Sequence, residues 1–310
     1  MNKRLSGLRF AVLCALLAMT ACGGGGSSSG GTTTVPPSGN SAKASQVVLV
    51  VLENQNYTDV VGSANAPYLN SLLAQGTLAT SYYANTHPSI GNYFMMTTGN
   101  IVSTNDEYPG TVSPPEIVSA LTGAGKSWKV YAEGIPAAGY TGGDTGAYLK
   151  RHDPLSYFTD VEGTAAADNI VLFSQLATDA SGPLSNFTMI VGNIYDVGHN
   201  CAPTVTTCTT AVELEQADTW LQSTLPQILT NASFARSGLL VVTFDESATD
   251  NTNGGGQVAT VLLGTNVKSG YKAKGMYQHQ SLLRLMLEAQ GVSALPGASA
   301  GAASMDEVWK

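Results

Sequence analysis

The chain has 310 residues, of which 43% are hydrophobic, and its 22 acidic and 14 basic residues give a formal net charge of −8 at pH 7. A chain of this length can bury the core of one large domain. An acidic surface repels a nucleic-acid backbone, so the composition argues against nucleic-acid binding. It does not exclude an anionic small-molecule substrate, because a bound metal ion can reverse the field locally.

Residues 1–21 have the features of an export signal. Lys3, Arg4 and Arg9 precede an apolar run over residues 10–19, which is too short to span a bilayer as a helix. Small residues then precede Cys22, a pattern that resembles the lipobox of bacterial lipoproteins. We therefore expect cleavage before Cys22 and lipid on that cysteine. The alternative is an ordinary secretory signal whose cleavage site contains a cysteine.

Residues 22–45 are rich in Gly, Ser, Thr and Pro. Such a composition buries little apolar surface and predicts a flexible tether. The folded domain is expected over residues 46–310. The mature protein would then lie in the periplasm or at the cell surface and contact the membrane only through its lipid. The sequence gives no indication of the oligomeric state.

In chain order, the remaining patterns alternate between strand and helix. Continuous apolar runs predict buried strands, and amphipathic runs bounded by Pro or Gly predict helices. The predicted elements are a strand at 46–52, helices at 67–75, 93–98 and 114–123, strands at 127–132 and 187–191, a helix at 211–230 kinked at Pro226, strands at 237–244 and 258–263, and a helix at 280–289. This alternation predicts an α/β domain with a mostly parallel central sheet flanked by helices.

Polar side chains follow three of the predicted strands, and the carboxyl ends of parallel strands meet at one edge of a sheet. They are Glu53 and Asn54 after the first strand, Asp196 and His199 after the strand at 187–191, and Asp245 and Glu246 after the strand at 237–244. Crowded carboxylates repel each other unless a cation lies among them, which favours a hard divalent metal. Taken singly, each of these residues could instead cap a helix.

Ser89 is the candidate nucleophile. Pro88 precedes it and an apolar helical run at 93–96 follows, so Ser89 lies at or near a helix N-terminus. Free backbone N–H groups and the helix dipole favour a phosphate there. Serine is also a common N-cap residue, and this segment alone does not decide between the two interpretations.

Cys201 and Cys208 are the two cysteines of the predicted domain. In an oxidising compartment, their close spacing favours a disulfide that closes a short loop. A pair of metal thiolates is the alternative, although no Cys or His partner lies at zinc-finger spacing.

The ordered set of motifs resembles the acid phosphatase and non-haemolytic phospholipase C family of bacteria and fungi, within the alkaline phosphatase superfamily. The resemblance covers residues 46–292. It is carried by residues 48–54, Ala66-Pro67-Tyr68-Leu69, His87-Pro88-Ser89, Asn92-Tyr93, Gly99, Arg151-His152-Asp153-Pro154, Phe244-Asp245-Glu246 and Tyr277-Gln278-His279.

The resemblance implies a role for each matching residue. The metal ligands would be Glu53, Asn54, Ser89, Asp245 and Glu246, with Ser89 also the nucleophile. Asn92 would hold a phosphoryl oxygen, as the Asn of the Thr-x-x-Asn motif is expected to do in the more distant nucleotide pyrophosphatases. The catalytic histidines of the phosphate pocket would be His199, with Asp196 beside it, and His279. The remaining motif histidines, His87 and His152, are expected to bind substrate.

Two departures from the two-zinc relatives put a second metal site in doubt. Those relatives have Asp-His where this chain has Asp245-Glu246, and Asp-x-x-x-Gly-His where it has Asp196-Val-Gly-His199. The resemblance therefore implies one firmly bound divalent metal of unspecified identity.

The implied activity is a metal-dependent acid phosphatase that hydrolyses small phosphate monoesters, phosphoinositides among them, through a phosphoserine. Charged histidines at the phosphate would favour acid pH. The alternative is a phospholipase C or another phosphodiesterase on the same site; the family's phospholipases carry an additional carboxyl-terminal region that this sequence lacks. A non-catalytic lipoprotein on this fold would be expected to lose Ser89 or its carboxylates, and all are present.

Overall fold

The computed structural model describes residues 42–310. The predicted signal, Cys22 and most of the predicted tether lie outside the described residues. The strands are β1 Gln46–Leu52, β2 Thr77–Ala79, β3 Tyr82–Tyr83, β4 Trp128–Ala132, β5 Ile170–Leu172, β6 Phe187–Val191, β7 Gly238–Phe244, β8 Thr260–Gly264, β9 Tyr271–Ala273 and β10 Tyr277–Gln278. The α-helices are α1 Tyr57–Val60, α2 Pro67–Gln75, α3 Ile90–Thr98, α4 Ile117–Gly123, α5 Leu176–Asp179, α6 Thr210–Thr224, α7 Pro226–Leu229, α8 Ala232–Ser237 and α9 His279–Ala289.

Eight of these strands form one central sheet in the order β5–β4–β6–β1–β7–β8–β2–β9. All neighbouring pairs are parallel except those that β8 makes with β7 and β2. Every residue of β1, β6 and β7 is buried, as expected for central strands covered by helices on both faces. The predicted fold class, α/β with a mostly parallel sheet, is confirmed.

Several predicted boundaries shift for local reasons. Helix α4 begins at Ile117 rather than residue 114, because the Glu116 carboxylate caps it by accepting hydrogen bonds from the backbone N–H groups of Val118 and Ser119. The helix predicted over 211–230 ends at Thr224 and resumes at Pro226 as α7, because proline has no N–H to continue the ladder.

The sheet order brings together the segments that follow β1, β6 and β7, which carry the candidate polar side chains. Strand β1 lies between β6 and β7 and is parallel to both, so the segments that follow these strands emerge at the same sheet edge.

Helix α3 ends at Gly99, whose φ of +71° lies in the left-handed region and whose N–H donates to the carbonyl of Met95. Within residues 42–310, none of the helices has the length and apolar character of a membrane span.

Candidate active site

Three carboxyl groups lie at the carboxyl ends of β1 and β7. Leu52 and Phe244 are paired in register, so the next residues, Glu53 and Asp245, leave the sheet side by side. The N–H of Asp245 donates to the carbonyl of Leu52 at 3.0 Å. Glu53 and Asp245 are fully buried, and Glu246 is only 6% exposed.

Asn54 joins this cluster through an unusual backbone conformation. Its φ of +49° lies in the left-handed region, which asparagine tolerates better than most residues. Its N–H donates to Asp245 Oδ1 at 3.2 Å. Neither Asn54 nor the carboxylates after β7 caps a helix in the described residues, so the helix-cap interpretation does not apply to them.

The Ser89 hydroxyl points into the carboxylate cluster. It donates to Glu53 Oε2 at 3.0 Å, and Ser89 is 1% exposed. Glu53 is the carboxylate to which the hydroxyl donates, and the nearby hydroxyl also opposes the rise in the pKa values of Asp245 and Glu246. Ser89 has helical angles (φ −45°, ψ −50°) and its side chain makes no capping bond. The hydroxyl is therefore available for chemistry.

Burial makes the charged form of this cluster unfavourable. It raises the pKa of Glu53 to about 8, with the Glu246 charge adding to the effect and hydrogen bonds from Tyr93 and Ser89 opposing it. Burial and the Glu53 charge raise the pKa of Asp245 well above its usual value. Burial and the Asp245 charge raise that of Glu246 to about 9. A cation among these groups would remove the repulsion.

The cluster has the donor set of a hard divalent metal. Asn54 Oδ1 and Asp245 Oδ2 are buried without a hydrogen-bond partner among the described residues, and buried polar atoms are normally paired. Carboxylate, amide and hydroxyl oxygens suit Mg²⁺, Ca²⁺ or Mn²⁺, and carboxylates also bind Zn²⁺. The donor types present thus suit one divalent ion; binding itself stays a prediction.

Two histidines contact the cluster directly. His87 Nδ1 lies 2.8 Å from Glu246 Oε2. His152 Nε2 lies 3.2 Å from Glu53 Oε1, and its ring stacks on Tyr93 with ring centroids 5.3 Å apart. Burial, with the charges of Arg151 and His199, holds the pKa of His152 well below its usual value. The surroundings of His152 therefore disfavour its charged form.

His199 and Asp196 lie on the β6 side of this edge. The rings of His199 and His152 have centroids 6.0 Å apart, and His199 Nδ1 lies 2.5 Å from Asn200 Oδ1. Asp196 Oδ2 accepts from Asn193 Nδ2 at 2.6 Å, and burial together with the Asp196 charge raises the pKa of Glu133 to about 7. Within residues 42–310, no hydrogen bond joins Asp196 to His199. The structure brings His199 toward the cluster and places Asp196 in a neighbouring acidic pair.

His279 is placed differently from the expectation of a charged phosphate ligand. Its Nε2 lies 2.6 Å from the carbonyl of Asp245, its Nδ1 lies 3.0 Å from the Tyr82 hydroxyl, and it is fully buried. Burial lowers its pKa to about 4, although the hydrogen bond to Asp245 opposes this. These contacts describe a neutral ring that positions Asp245; direct phosphate binding by His279 stays a prediction.

Asn92 holds the loop that precedes the nucleophile. Its Oδ1 accepts from the N–H groups of Asn85 and Thr86, and its Nδ2 donates to the carbonyl of Thr86 at 2.8 Å. Its Nδ2 also lies 3.4 Å from Glu246 Oε2. The amide is thus close to the cluster, whereas contact with a phosphoryl oxygen stays a prediction.

Two residues at the site were missed by reasoning from sequence. The Tyr93 hydroxyl donates to Glu53 Oε1 at 2.5 Å; its position four residues after Ser89, on the same helix face, was an available signal. Glu133 follows β4 directly, and its Oε2 accepts from the N–H of Asn193 at 3.2 Å. The position of Glu133 directly after a predicted strand was the available signal.

The loop after His199 is closed by a disulfide. Cys201 and Cys208 are bonded, with their Cα atoms 5.6 Å apart. In the structure these two sulfurs are therefore paired with each other and are not metal thiolates.

Comparison with known proteins identifies the family and supports the fold. The sequence model of the phosphoesterase family matches residues 62–293. A phosphatidylinositol-3-phosphatase from Mycobacterium tuberculosis is 29% identical over 268 residues, which cover 86% of this chain and 83% of that protein. A probable acid phosphatase from Kluyveromyces lactis is 30% identical over 251 residues, which cover 76% of this chain and 55% of that protein. The chain thus spans about half of the fungal relative.

Solved structures share the fold at low identity. A Vibrio parahaemolyticus protein of the alkaline phosphatase superfamily has a TM-score of 0.55 at 15% identity, covering 82% of this chain and 68% of that one. Murine ectonucleotide pyrophosphatase / phosphodiesterase 5, in complex with AMP, has a TM-score of 0.52 at 11% identity, covering 81% of this chain and 96% of that one.

Fold, site and relatives together define a hydrolase that acts on phosphoric esters, built on the alkaline phosphatase fold. Within that class, the chain belongs to the phosphoesterase family, whose model matches most of its length.

Proposed function

We propose that the chain is a metal-dependent phosphatase that hydrolyses small phosphate monoesters through a phosphoserine on Ser89. The observation that carries this proposal is the buried Ser89 hydroxyl, which donates to Glu53 at the sheet edge where the buried Asp245 and Glu246 also lie. The relatives named acid phosphatase and phosphatidylinositol-3-phosphatase support a monoester substrate.

A divalent ion held by Glu53, Asn54, Ser89, Asp245 and Glu246 would act as a Lewis acid and lower the pKa of the Ser89 hydroxyl. Glu53 fixes the direction of that hydroxyl by accepting its hydrogen bond. Tyr93 in turn donates to the other Glu53 oxygen, and His152 Nε2 lies 3.2 Å from it. The nucleophile is thus oriented before substrate arrives, which lowers the entropic part of the barrier.

The reaction would proceed in two displacements at phosphorus. Ser89 Oγ forms a bond to phosphorus while the bond to the ester oxygen breaks, and the departing alcohol takes up a proton. Water then attacks the phosphoserine, which regenerates Ser89 and releases inorganic phosphate. Burial lowers the pKa values of both His152 and His279, which disfavours positive charge on either ring.

The test is an assay of purified protein with p-nitrophenyl phosphate and bis(p-nitrophenyl) phosphate, with and without a chelator. We expect monoester turnover that is lost on chelation and restored by a divalent ion. A metal-free protein with full activity would contradict the metal, and faster turnover of the diester would favour the phosphodiesterase alternative.

The nucleophile is tested by Ser89→Ala, with Ser299→Ala as the matched control. Ser299 is also fully buried, but its hydroxyl donates to the carbonyl of Pro296, away from the carboxylates. We expect Ser89→Ala to lower turnover by at least about a thousandfold, while Ser299→Ala stays active. A folded Ser89→Ala protein with substantial activity would remove Ser89 as the nucleophile.

We further propose that the enzyme works outside the cytoplasm, anchored by lipid on Cys22. The basic start, the short apolar run and the small residues before Cys22 support this. Metabolic labelling with a fatty acid tests it: wild-type protein should take up label, and Cys22→Ala protein should not.

A further inference from the structure

Arg151 is a charged residue next to the candidate active site. The proposed reaction gives it no role. It belongs to a 3₁₀ turn, Lys150–His152, and its side chain is 12% exposed. Its Nε atom is buried and has no hydrogen-bond partner among residues 42–310. A buried donor left unpaired is costly, and more so when the group is charged.

Two aspartates neutralise the guanidinium without using its donors. Asp106 Oδ2 lies 3.8 Å from Nε, and Asp144 Oδ2 lies 3.5 Å from Nη1. Both distances exceed the usual range for a hydrogen bond. The charge is therefore balanced while no hydrogen bond within residues 42–310 uses the planar N–H groups, whose geometry suits the oxygens of a phosphate group.

Contacts made by Asp106 and His152, the neighbours of Arg151, link it to the nucleophile from two directions. Asp106 Oδ1 accepts from the N–H of Ile90 at 3.2 Å, and Ile90 directly follows Ser89. On the other side, His152 contacts Glu53, which accepts the Ser89 hydrogen bond. The Arg151 charge also lowers the pKa of Glu53, although this is the smallest of the influences on it.

Lys150, the cation next to Arg151 in the chain, does not share these links to the nucleophile. Lys150 Nζ lies 3.3 Å from Glu162 Oε1 and 4.4 Å from the centroid of the Tyr157 ring. Its charge is thus engaged away from Ser89, whereas no hydrogen bond among the described residues uses the Arg151 donors. Lys150 therefore serves as a matched control for the loss of one positive charge in the same turn.

We propose that Arg151 binds substrate by donating hydrogen bonds to non-bridging oxygens of the phosphoryl group that Ser89 attacks, with Asp106 and Asp144 as positioning residues. This inference rests on the proposed function. A phosphate monoester carries nearly two negative charges at neutral pH, whereas a diester carries one. Arg151 therefore favours monoesters over diesters.

The test compares Arg151→Met, Arg151→Lys and Lys150→Met in the full chain. The readouts are kcat/KM for p-nitrophenyl phosphate and its diester, inhibition by inorganic phosphate, and the melting temperature. For Arg151→Met we expect monoester kcat/KM to fall on the order of 10- to 100-fold, with a smaller fall for the diester and weaker phosphate inhibition. Arg151→Lys should recover part of the loss, because an ammonium keeps the charge but not the planar donors. Lys150→Met should resemble wild type.

The inference would be overturned if Arg151→Met had wild-type kinetics and phosphate inhibition and only a lower melting temperature. Arg151 would then have a purely structural role in connecting neighbouring loops. Equal losses for monoester and diester would overturn its role in selectivity. If the wild type shows no turnover, the proposed function fails, and calorimetric titration with inorganic phosphate still decides whether Arg151 binds the anion. If Arg151→Met does not fold, Arg151→Lys carries the same comparison.

Discussion

Removing the Tyr93 hydroxyl should weaken metal binding without removing a metal ligand. This hydroxyl donates to Glu53 Oε1 at 2.5 Å, in a site where Glu53 is fully buried. The substitution Tyr93→Phe keeps the ring that stacks on His152. The change is therefore confined to one hydrogen bond on a carboxylate, and the prediction takes the proposed metal site as given.

The expected size of the effect follows from that single bond. A hydrogen bond to a charged group contributes about 1.5–3 kcal/mol, and about 1.4 kcal/mol corresponds to a tenfold change in an equilibrium constant. We therefore expect a loss of metal affinity of roughly 10- to 100-fold, the range typical of residues that orient a metal ligand. The same bond lowers the pKa of Glu53, so its loss also makes protons compete better with the metal.

The assay is calorimetric titration of chelator-stripped protein with Mg²⁺, Mn²⁺ and Zn²⁺ in separate experiments. Tyr131→Phe is the matched control, because Tyr131 is a buried tyrosine whose hydroxyl lies 2.9 Å from a carboxylate oxygen of Asp179, outside the site. Unchanged metal affinity in Tyr93→Phe, or an equal loss in Tyr131→Phe, would refute the reasoning.

Two further predictions concern the loop after His199 and the pH dependence of stability. The free energy of unfolding of the double mutant Cys201→Ser/Cys208→Ser should be lower by about 2–3 kcal/mol, from the chain-entropy estimate for so short a loop. The mutant should also lose activity, because His199 is misplaced. Full activity in the mutant would contradict the catalytic role of the loop, and two free thiols in the exported wild type would contradict the disulfide. Burial, with the Asp160 charge, raises the pKa of Glu116 from 4.5 to about 7. The folded state thus holds its proton more tightly than the unfolded state, and stability from this group is lost as pH rises from 4.5 to about 7. Glu116→Gln should remove up to about 3 kcal/mol of that pH dependence, as measured by urea unfolding at pH 5 and 7.5; an equal stability difference between mutant and wild type at both pH values would contradict this.

The sequence was most informative where one local pattern decides the structure. Two elements have the predicted boundaries: the β-branched strand at 46–52 and the helix at 67–75, which begins at a proline and is followed by a glycine. Both were predictable because burial and the helix-ending effects of proline and glycine act within a few residues. The adjacency of Glu53 and Asp245 also followed from sequence, since parallel strands end at one edge.

Other features depend on contacts between distant segments. Strands β3 and β10 have two residues each and pair across almost two hundred positions, so no periodicity marks them. The neutral state of His279 depends on Tyr82 and on the carbonyl of Asp245, neither of which is near it in sequence. The direction of β8 was likewise undetermined, because an apolar run reads the same in parallel and antiparallel sheets.

The raised pKa values of the carboxylate cluster would make binding of the proposed metal an exchange of protons for metal. With pKa values of about 8 for Glu53 and about 9 for Glu246, the empty cluster holds protons at neutral pH that an incoming cation must displace. Apparent metal affinity then falls by about tenfold per pH unit for each displaced proton. We therefore expect acidic surroundings to weaken binding of the proposed metal, and with it the activity that depends on that metal.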